Sequence, residues 1–138
     1  MSFVLDNSVT MRWCFGDGKA SDLAYASKVL DAMHDSYALV PSIWGLEVAN
    51  VLARAESQKF ITEARSEAFL ARLRRLQIET DPETFTQSLT ATLQIARRYR
   101  LSSYDAAYLE LALREGLPLA TLDADLRKAA KQAGAPAV

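Results

Sequence analysis

Four acidic residues stand where a soluble fold gains little from a charge. Asp6 closes the apolar run Phe3-Val4-Leu5, and Asp123 closes Leu119-Ala120-Thr121-Leu122. Glu47 interrupts the stretch from Ile43 to Ala49, and Asp105 opens the run from Ala106 to Leu113. A carboxylate withdrawn from water is costly unless its charge is compensated. Several that converge repel one another, and a hard divalent cation is the simplest remedy. The set therefore points to a Mg²⁺ or Mn²⁺ site, and from there to phosphodiester chemistry.

Each acid also has a plainer role open to it. Asp6 is well placed as a helix N-cap, although Asn7 or Ser8 can cap instead. Glu47 shares a helical face with Ile43, Val51 and Arg54 and can pair with Arg54 or Asn50. Asp105 falls in the first turn of a helix, where the dipole favours an anion; that role is compatible with facing a metal. Asp123 and Asp125 both lie at the start of the last helix. The expectation is that Asp123 faces the site while Asp125 caps or assists from outside. Ser8 and Thr121 offer hydroxyls nearby.

Other chemistries are poorly supplied. Among 138 residues there is one cysteine, Cys14, and one histidine, His34, so an intrachain disulfide, a cysteine-based zinc site and a histidine-rich site are excluded. His34 lies near a helix end with no nucleophile beside it, and Cys14 between Trp13 and Phe15 reads as a small buried hydrophobe. The formal net charge of -1 provides no global field for nucleic acid, so any such contact must come from local patches. Two are visible, at Arg72-Leu73-Arg74-Arg75 and at Arg97-Arg98-Tyr99-Arg100. No apolar run reaches the roughly 18 residues of a membrane span. The start, Met1 to Asp6, reads as a first strand and not as a leader, which predicts a cytoplasmic protein of one domain over residues 1–138.

The elements that must position the acids alternate along the chain. Short apolar runs at Phe3–Leu5, Ala38–Val40 and Leu119–Leu122 predict buried strands, and Leu76–Thr80 a half-exposed one. Helices are expected from Asn7 to about Trp13 and across the Leu23–Met33 periodicity. Further ones run from a Ser42 cap to about Gln58 and from Thr62 to near Leu76. Asp81-Pro82 predicts one helix running to about Arg100. Ser102 or Ser103 caps the next, and Gly134 ends the last. The order predicts a three-layer α/β/α sandwich on a mainly parallel sheet. Ligands in such sheets bind at the C-terminal strand ends, where Asp6 and Asp123 stand.

With these stretches in place the chain resembles the PIN-domain ribonucleases, and within them the VapC-type toxins of toxin–antitoxin pairs. The matching residues are Val4-Leu5-Asp6-Asn7-Ser8, the segment Pro41–Leu52, the segment Leu101–Leu109 and Leu119-Ala120-Thr121-Leu122-Asp123. The resemblance spans the chain, with Tyr-Asp-Ala-Ala-Tyr followed by Thr-x-Asp as its most specific part. Leu126 stands where the family often has an aromatic residue. The resemblance implies that Asp6, Glu47, Asp105 and Asp123 hold Mg²⁺ or Mn²⁺ for hydrolysis of RNA. It further implies a homodimer and a cognate protein antitoxin that occludes the site, seated against the two helices after Pro41. The competing expectation is a PIN-like scaffold that binds RNA or a partner without cutting. A haloacid-dehalogenase-type phosphotransferase needs a second aspartate where Ser8 stands, and a phospho-receiver needs an acceptor where Val40-Pro41 stand.

Overall fold

The computed structural model describes residues 2–138. It contains four parallel strands in the order β3-β2-β1-β4. They are β1 (Phe3–Leu5), β2 (Ala38–Val40), β3 (Ile78–Thr80) and β4 (Leu119–Ala120). The helices are α1 (Asn7–Phe15), α2 (Ala20–Ala32), α3 (Trp44–Ser57), α4 (Glu63–Leu73), α5 (Thr84–Ser88), α6 (Ala91–Tyr99), α7 (Ser103–Glu115) and α8 (Ala124–Ala133).

Side chains on a strand alternate between faces, and here that alternation builds the two covering layers. Val4 and Leu119 pack with Tyr108, Leu109, Leu126 and Ala129, under α7 and α8. Phe3, Leu5 and Ala120 pack with Val9, Ala26 and Val29, under α1 and α2. Val4 and Leu5 are wholly buried, so both faces of β1 are covered and the parallel sheet reads as a continuous apolar run. Burial on that scale contributes about 1.5–3 kcal/mol per large side chain. A third cluster, including Met11, Val48, Leu52 and Phe69, sews α1, α3 and α4 together outside the sheet. Trp44 borders all of these clusters, and its indole N–H donates to Thr10 Oγ1 at 3.2 Å.

The topology positions the site. β1 is flanked by β2 on one side and β4 on the other, with Val4 opposite both Leu39 and Leu119. β2 and β3 lie to one side of β1 and β4 to the other, so the strand order reverses beside β1 and the C-terminal ends of β1 and β4 form a topological switch point. Asp6 and the Thr121–Asp123 segment emerge there.

The structure departs from the sequence reading at three places. The single helix expected from Asp81 to Arg100 is two, α5 and α6. Ser88 Oγ donates to the Phe85 carbonyl and Thr90 Oγ1 to the Gln87 carbonyl, and Thr90 leaves the helical region at φ −122°, ψ −97°. Hydroxyls that compete for helix carbonyls in this way interrupt the ladder. Ser42 does not cap α3; its backbone N–H is taken by Thr84 Oγ1, and Ile43 occupies the cap position. The last strand is shorter than expected, because β4 ends at Ala120. Its free edge is instead covered by the chain end, where Leu119 N–H donates to the Pro136 carbonyl at 2.9 Å and Leu119 bridges in parallel to Ala137. Met1 lies outside the described residues.

Candidate active site

Asp6 occupies the N-cap position of α1 but does not cap it. Its side chain is turned the other way, toward the loop after β4. Ser8 Oγ and Thr121 Oγ1 both donate to Asp6 Oδ2, at 2.6 and 2.7 Å. Each hydroxyl accepts in turn from the β4–α8 loop. Leu122 N–H donates to Ser8 Oγ and Asp123 N–H to Thr121 Oγ1, both at 3.0 Å. A hydroxyl has one proton, and both protons are committed to Asp6. The carboxylate is thereby locked in rotation, and among the described residues no side chain donates to Oδ1. Asp6 is 4% exposed. Burial pushes its carboxyl up and the neighbouring charge of Asp123 adds to this, against the lowering effect of the two hydroxyls.

Glu47 sits in the first turn of α3, half-buried. The pairing with Arg54 or Asn50 weighed from sequence does not form; Glu47 Oε1 accepts from the Tyr108 hydroxyl instead. Its carboxyl is raised by burial and by the charges of Asp6 and Asp105, partly offset by the Tyr108 bond. Asp105 lies in the first turn of α7, whose cap is Ser102: Asp105 N–H donates to Ser102 Oγ at 3.1 Å. The Asp105 carboxyl is pushed up to about 6, first by burial and then by Asp123, Asp6 and Asp125.

Asp123 adds a cap to the role expected of it: its charge acts on Asp6 and Asp105, and it also begins the last helix. It is the N-cap of α8, with Oδ1 accepting from Leu126 N–H at 2.8 Å, and Asp125 does not cap. Asp125 contributes to the site only through its charge on Asp105. A capping aspartate has a second oxygen, so Asp123 can serve the helix and the site together.

The described residues include two other buried acids, and the contrast with them is informative. Asp81 is 2% exposed and Glu110 5%, and both are bridged by Arg114. Arg114 Nη1 and Nη2 donate to the two Asp81 oxygens, and Nε and Nη2 to the two Glu110 oxygens. Burial alone would raise Asp81, yet the Arg114 guanidinium holds it below the usual carboxylate range. Where a buried acid is structural, this fold supplies a cation. Among the described residues, no Lys, Arg or His lies within ion-pair distance of Asp6, Glu47, Asp105 or Asp123.

The donor set is oxygen only, with no thiolate or imidazole in it, which suits Mg²⁺ or Mn²⁺ over softer ions. The mutual raising of Asp6, Glu47 and Asp105 is the field that a cation relieves. Among the described residues, no three acids close into a ready-made metal cage.

Among the described residues, acids that no protein cation neutralises thus gather by the β1–β4 switch point, with a donor set suited to a divalent cation. The chain belongs to the PIN domain family, whose model matches residues 3–132. That family is broadly one of nucleases that use divalent metal ions. Its fold is similar to that of PAE2754 from Pyrobaculum aerophilum, at TM-score 0.65 and 21% identity, covering 94% of this chain and 87% of that one. VapBC2 from Rickettsia felis, bound to a DNA fragment from its promoter, aligns at TM-score 0.63 and 10% identity, over 93% of this chain and 92% of that one. FitAcB from Neisseria gonorrhoeae aligns at TM-score 0.61 and 17% identity, over 95% and 94%. A search of curated proteins returns no match.

Proposed function

We propose that this chain is a Mg²⁺- or Mn²⁺-dependent endoribonuclease of the VapC type, a single-domain cytoplasmic toxin held in check by a cognate antitoxin. The observation that carries the reading is the pairing contrast. Arg114 neutralises Asp81 and Glu110, whereas Asp6, Glu47, Asp105 and Asp123 have no protein cation. Asp6, Glu47, Asp105 and Asp123 would hold the ion, directly or through water. When bound, such an ion offsets charge on the scissile phosphate and acidifies a water. Ser8 and Thr121 hold Asp6 in one rotamer, and Tyr108 holds Glu47. The Asp105 carboxyl, raised to about 6 by burial and its acidic neighbours, would be returned to its charged form by a bound ion.

Partner readings rest on exposed apolar side chains. Phe60 is 75% exposed at the end of the α3–α4 hairpin. It flanks a cavity of about 540 Å³ shared with Val51, Arg54 and Arg65. That surface suits an amphipathic antitoxin segment. Phe85 and Leu89, more exposed still, supply an apolar patch for a homodimer. No helix among the described residues is long and apolar enough to cross a membrane.

The test is cleavage of a mixed cellular RNA pool by the purified protein in Mg²⁺ or Mn²⁺, repeated in EDTA, with Asp6→Asn and Asp105→Asn alongside. Cutting that requires both the ion and the two aspartates is expected. Unchanged cutting by a clean Asp105→Asn preparation would sink the site assignment. A folded, antitoxin-free protein that binds RNA in Mg²⁺ and never cuts it would favour the scaffold reading.

A further inference from the structure

We propose that the cleft between α8 and the start of α2 binds the backbone of a single RNA strand as it enters the acidic site. The proposal rests on the ribonuclease reading for its direction, although the binding itself is testable alone. The cleft encloses about 880 Å³. Its walls carry Lys19, Arg127, Lys128 and Lys131, against one acid, Asp22. Among the described residues, none of these four cations has a carboxylate within ion-pair distance. On a chain of net charge -1, so many unneutralised cations around one cavity are a local anion-binding surface.

Thr121 joins the cleft to the acidic site. Its hydroxyl donates to Asp6 on one side, and its carbonyl accepts from Arg127 Nη2 at 2.6 Å on the other. Arg127 is held further by the ring of Tyr25, 5.2 Å from its centroid, so one wall of the cleft is rigid up to the acids. The floor is apolar, formed by Leu119, Leu122 and Ala130. Cationic walls over an apolar floor match a strand whose phosphates face outward and whose bases need a surface to lie on. The cations also continue past the cleft. Lys128 lines a second cavity, of about 290 Å³, with Arg98 and Arg100, and Asp125 stands in its wall. Arg98 and Arg100 thus lie on the same track along α8. A track that runs between cavities suits a polymer of phosphates. It also solves a physical problem, because a polyanion approaching uncompensated carboxylates is repelled unless cations flank its path.

The experiment uses a fluorescein-labelled oligouridylate of roughly a dozen nucleotides. Its binding is followed by anisotropy in Mg²⁺ to full-length Asp105→Asn protein, so that the strand stays intact. Adding Lys128→Glu and Lys131→Glu is expected to weaken binding about ten-fold or more, and to lower the slope of log Kd against log salt by roughly 1–1.5. Lys128→Arg with Lys131→Arg should retain binding. Lys28→Glu with Lys59→Glu, at exposed positions outside both cavities, should leave it unchanged. All four lysines are exposed, and thermal melts would check that each variant is folded. Native affinity and salt slope in the double glutamate variant would overturn the proposal. So would undiminished RNA binding combined with lost binding of a polyglutamate peptide, which would assign the cleft to an acidic protein segment. Lysine-dependent binding by a protein that cuts no RNA would uphold the cleft while sinking the nuclease reading. Cutting with unaltered KM after both charge reversals would do the opposite.

Discussion

The hydroxyl of Tyr108 donates to Glu47 Oε1 across 2.5 Å, linking α7 to α3 beside the acidic site. Tyr108 is wholly buried, and burial together with the Glu47 charge drives its phenol far above the ordinary range. It is therefore a proton donor at every working pH, and it points Glu47 at the site. The role of Tyr108 is positioning. Tyr108→Phe should keep the fold, costing about 1 kcal/mol for the lost bond. It should also raise the Mn²⁺ concentration needed for half-maximal cleavage by roughly 10-fold or more, as losses behind a metal ligand do. A Mn²⁺ titration identical to that of the native protein would mean that Tyr108 serves packing alone.

Arg114 is the counterpart case, a cation placed where the fold needs one. Arg114→Met keeps most of the side-chain volume but strands Asp81 and Glu110 without their shared partner. Removing one member of a buried ionic cluster costs about 3–5 kcal/mol. Arg114 is partly exposed, at 22%, so solvent screening places the expected loss toward the lower end of that range. Urea unfolding would measure it, and a loss below about 1 kcal/mol would contradict a clamp between α7 and the β3–α5 connection.

How much of this was legible beforehand depends on the range of the interaction. Strand runs such as Phe3–Leu5, and caps such as Thr62 and Ser102, are local and were readable from residue type. The placement of Asp6 and Asp123 at one sheet edge followed from topology, because β-α alternation dictates parallel strands. Glu110 is the lone charged residue between Ala106 and Leu113, and its cation Arg114 lies four positions on along α7, yet Asp81, 29 positions before Glu110, reaches that same cation only in the fold. The break between α5 and α6 was hidden for a similar reason. Asp81-Pro82 has the form of a helix start, but the Asp81 carboxylate is drawn to Arg114 and to Thr84. Tyr108 did carry a signal, three residues after Asp105 on one helical face, which is compatible with either core packing or support of the site. Asp123 and Asp125 both suit the start of α8 by residue type, and only the fold shows that Asp123 is the one that accepts from Leu126 N–H.

Charge crowding gives Asp105 an opposite pH signature from Asp81. Asp105 titrates at about 6 in the fold, above the roughly 3.9 of an unfolded aspartate. A raised folded value contributes stability that is fully present below pH of about 4 and is lost as pH rises through 6. Asp81 is lowered, so its contribution is present above pH of about 4 and is lost as pH falls. In EDTA the native protein should therefore lose Tm between about pH 4 and 6 by this route, and Asp105→Asn should remove that slope. At pH 7.5 the variant should melt roughly 2–5 °C above the native protein while being inactive. Mg²⁺ should narrow the gap by stabilising only the native site. A variant that melts lower than the native protein throughout would mean that Asp105 is not held against repulsion.

Thr121 and Ser8 allow the positioning of Asp6 to be separated from its packing. Thr121→Val is close in shape but removes one of the two donors to Asp6 Oδ2 and the acceptor of Asp123 N–H. Ser8→Ala removes the other donor and the acceptor of Leu122 N–H. Each should cost about 1–3 kcal/mol through the backbone group left unpaired. Both hydroxyls lower the Asp6 pKa, so losing either lets burial and the Asp123 charge push it further up. The acid limb of the pH–rate profile should then move to higher pH in each single variant and further in the double one. The combined shift should differ from the sum, because both hydroxyls act on one oxygen. Thr121→Ser restores the donor and should return the limb to its native position. Lower Tm values with an unmoved acid limb would show that the hydroxyls support the loop after β4 and leave the ionisation of Asp6 untouched.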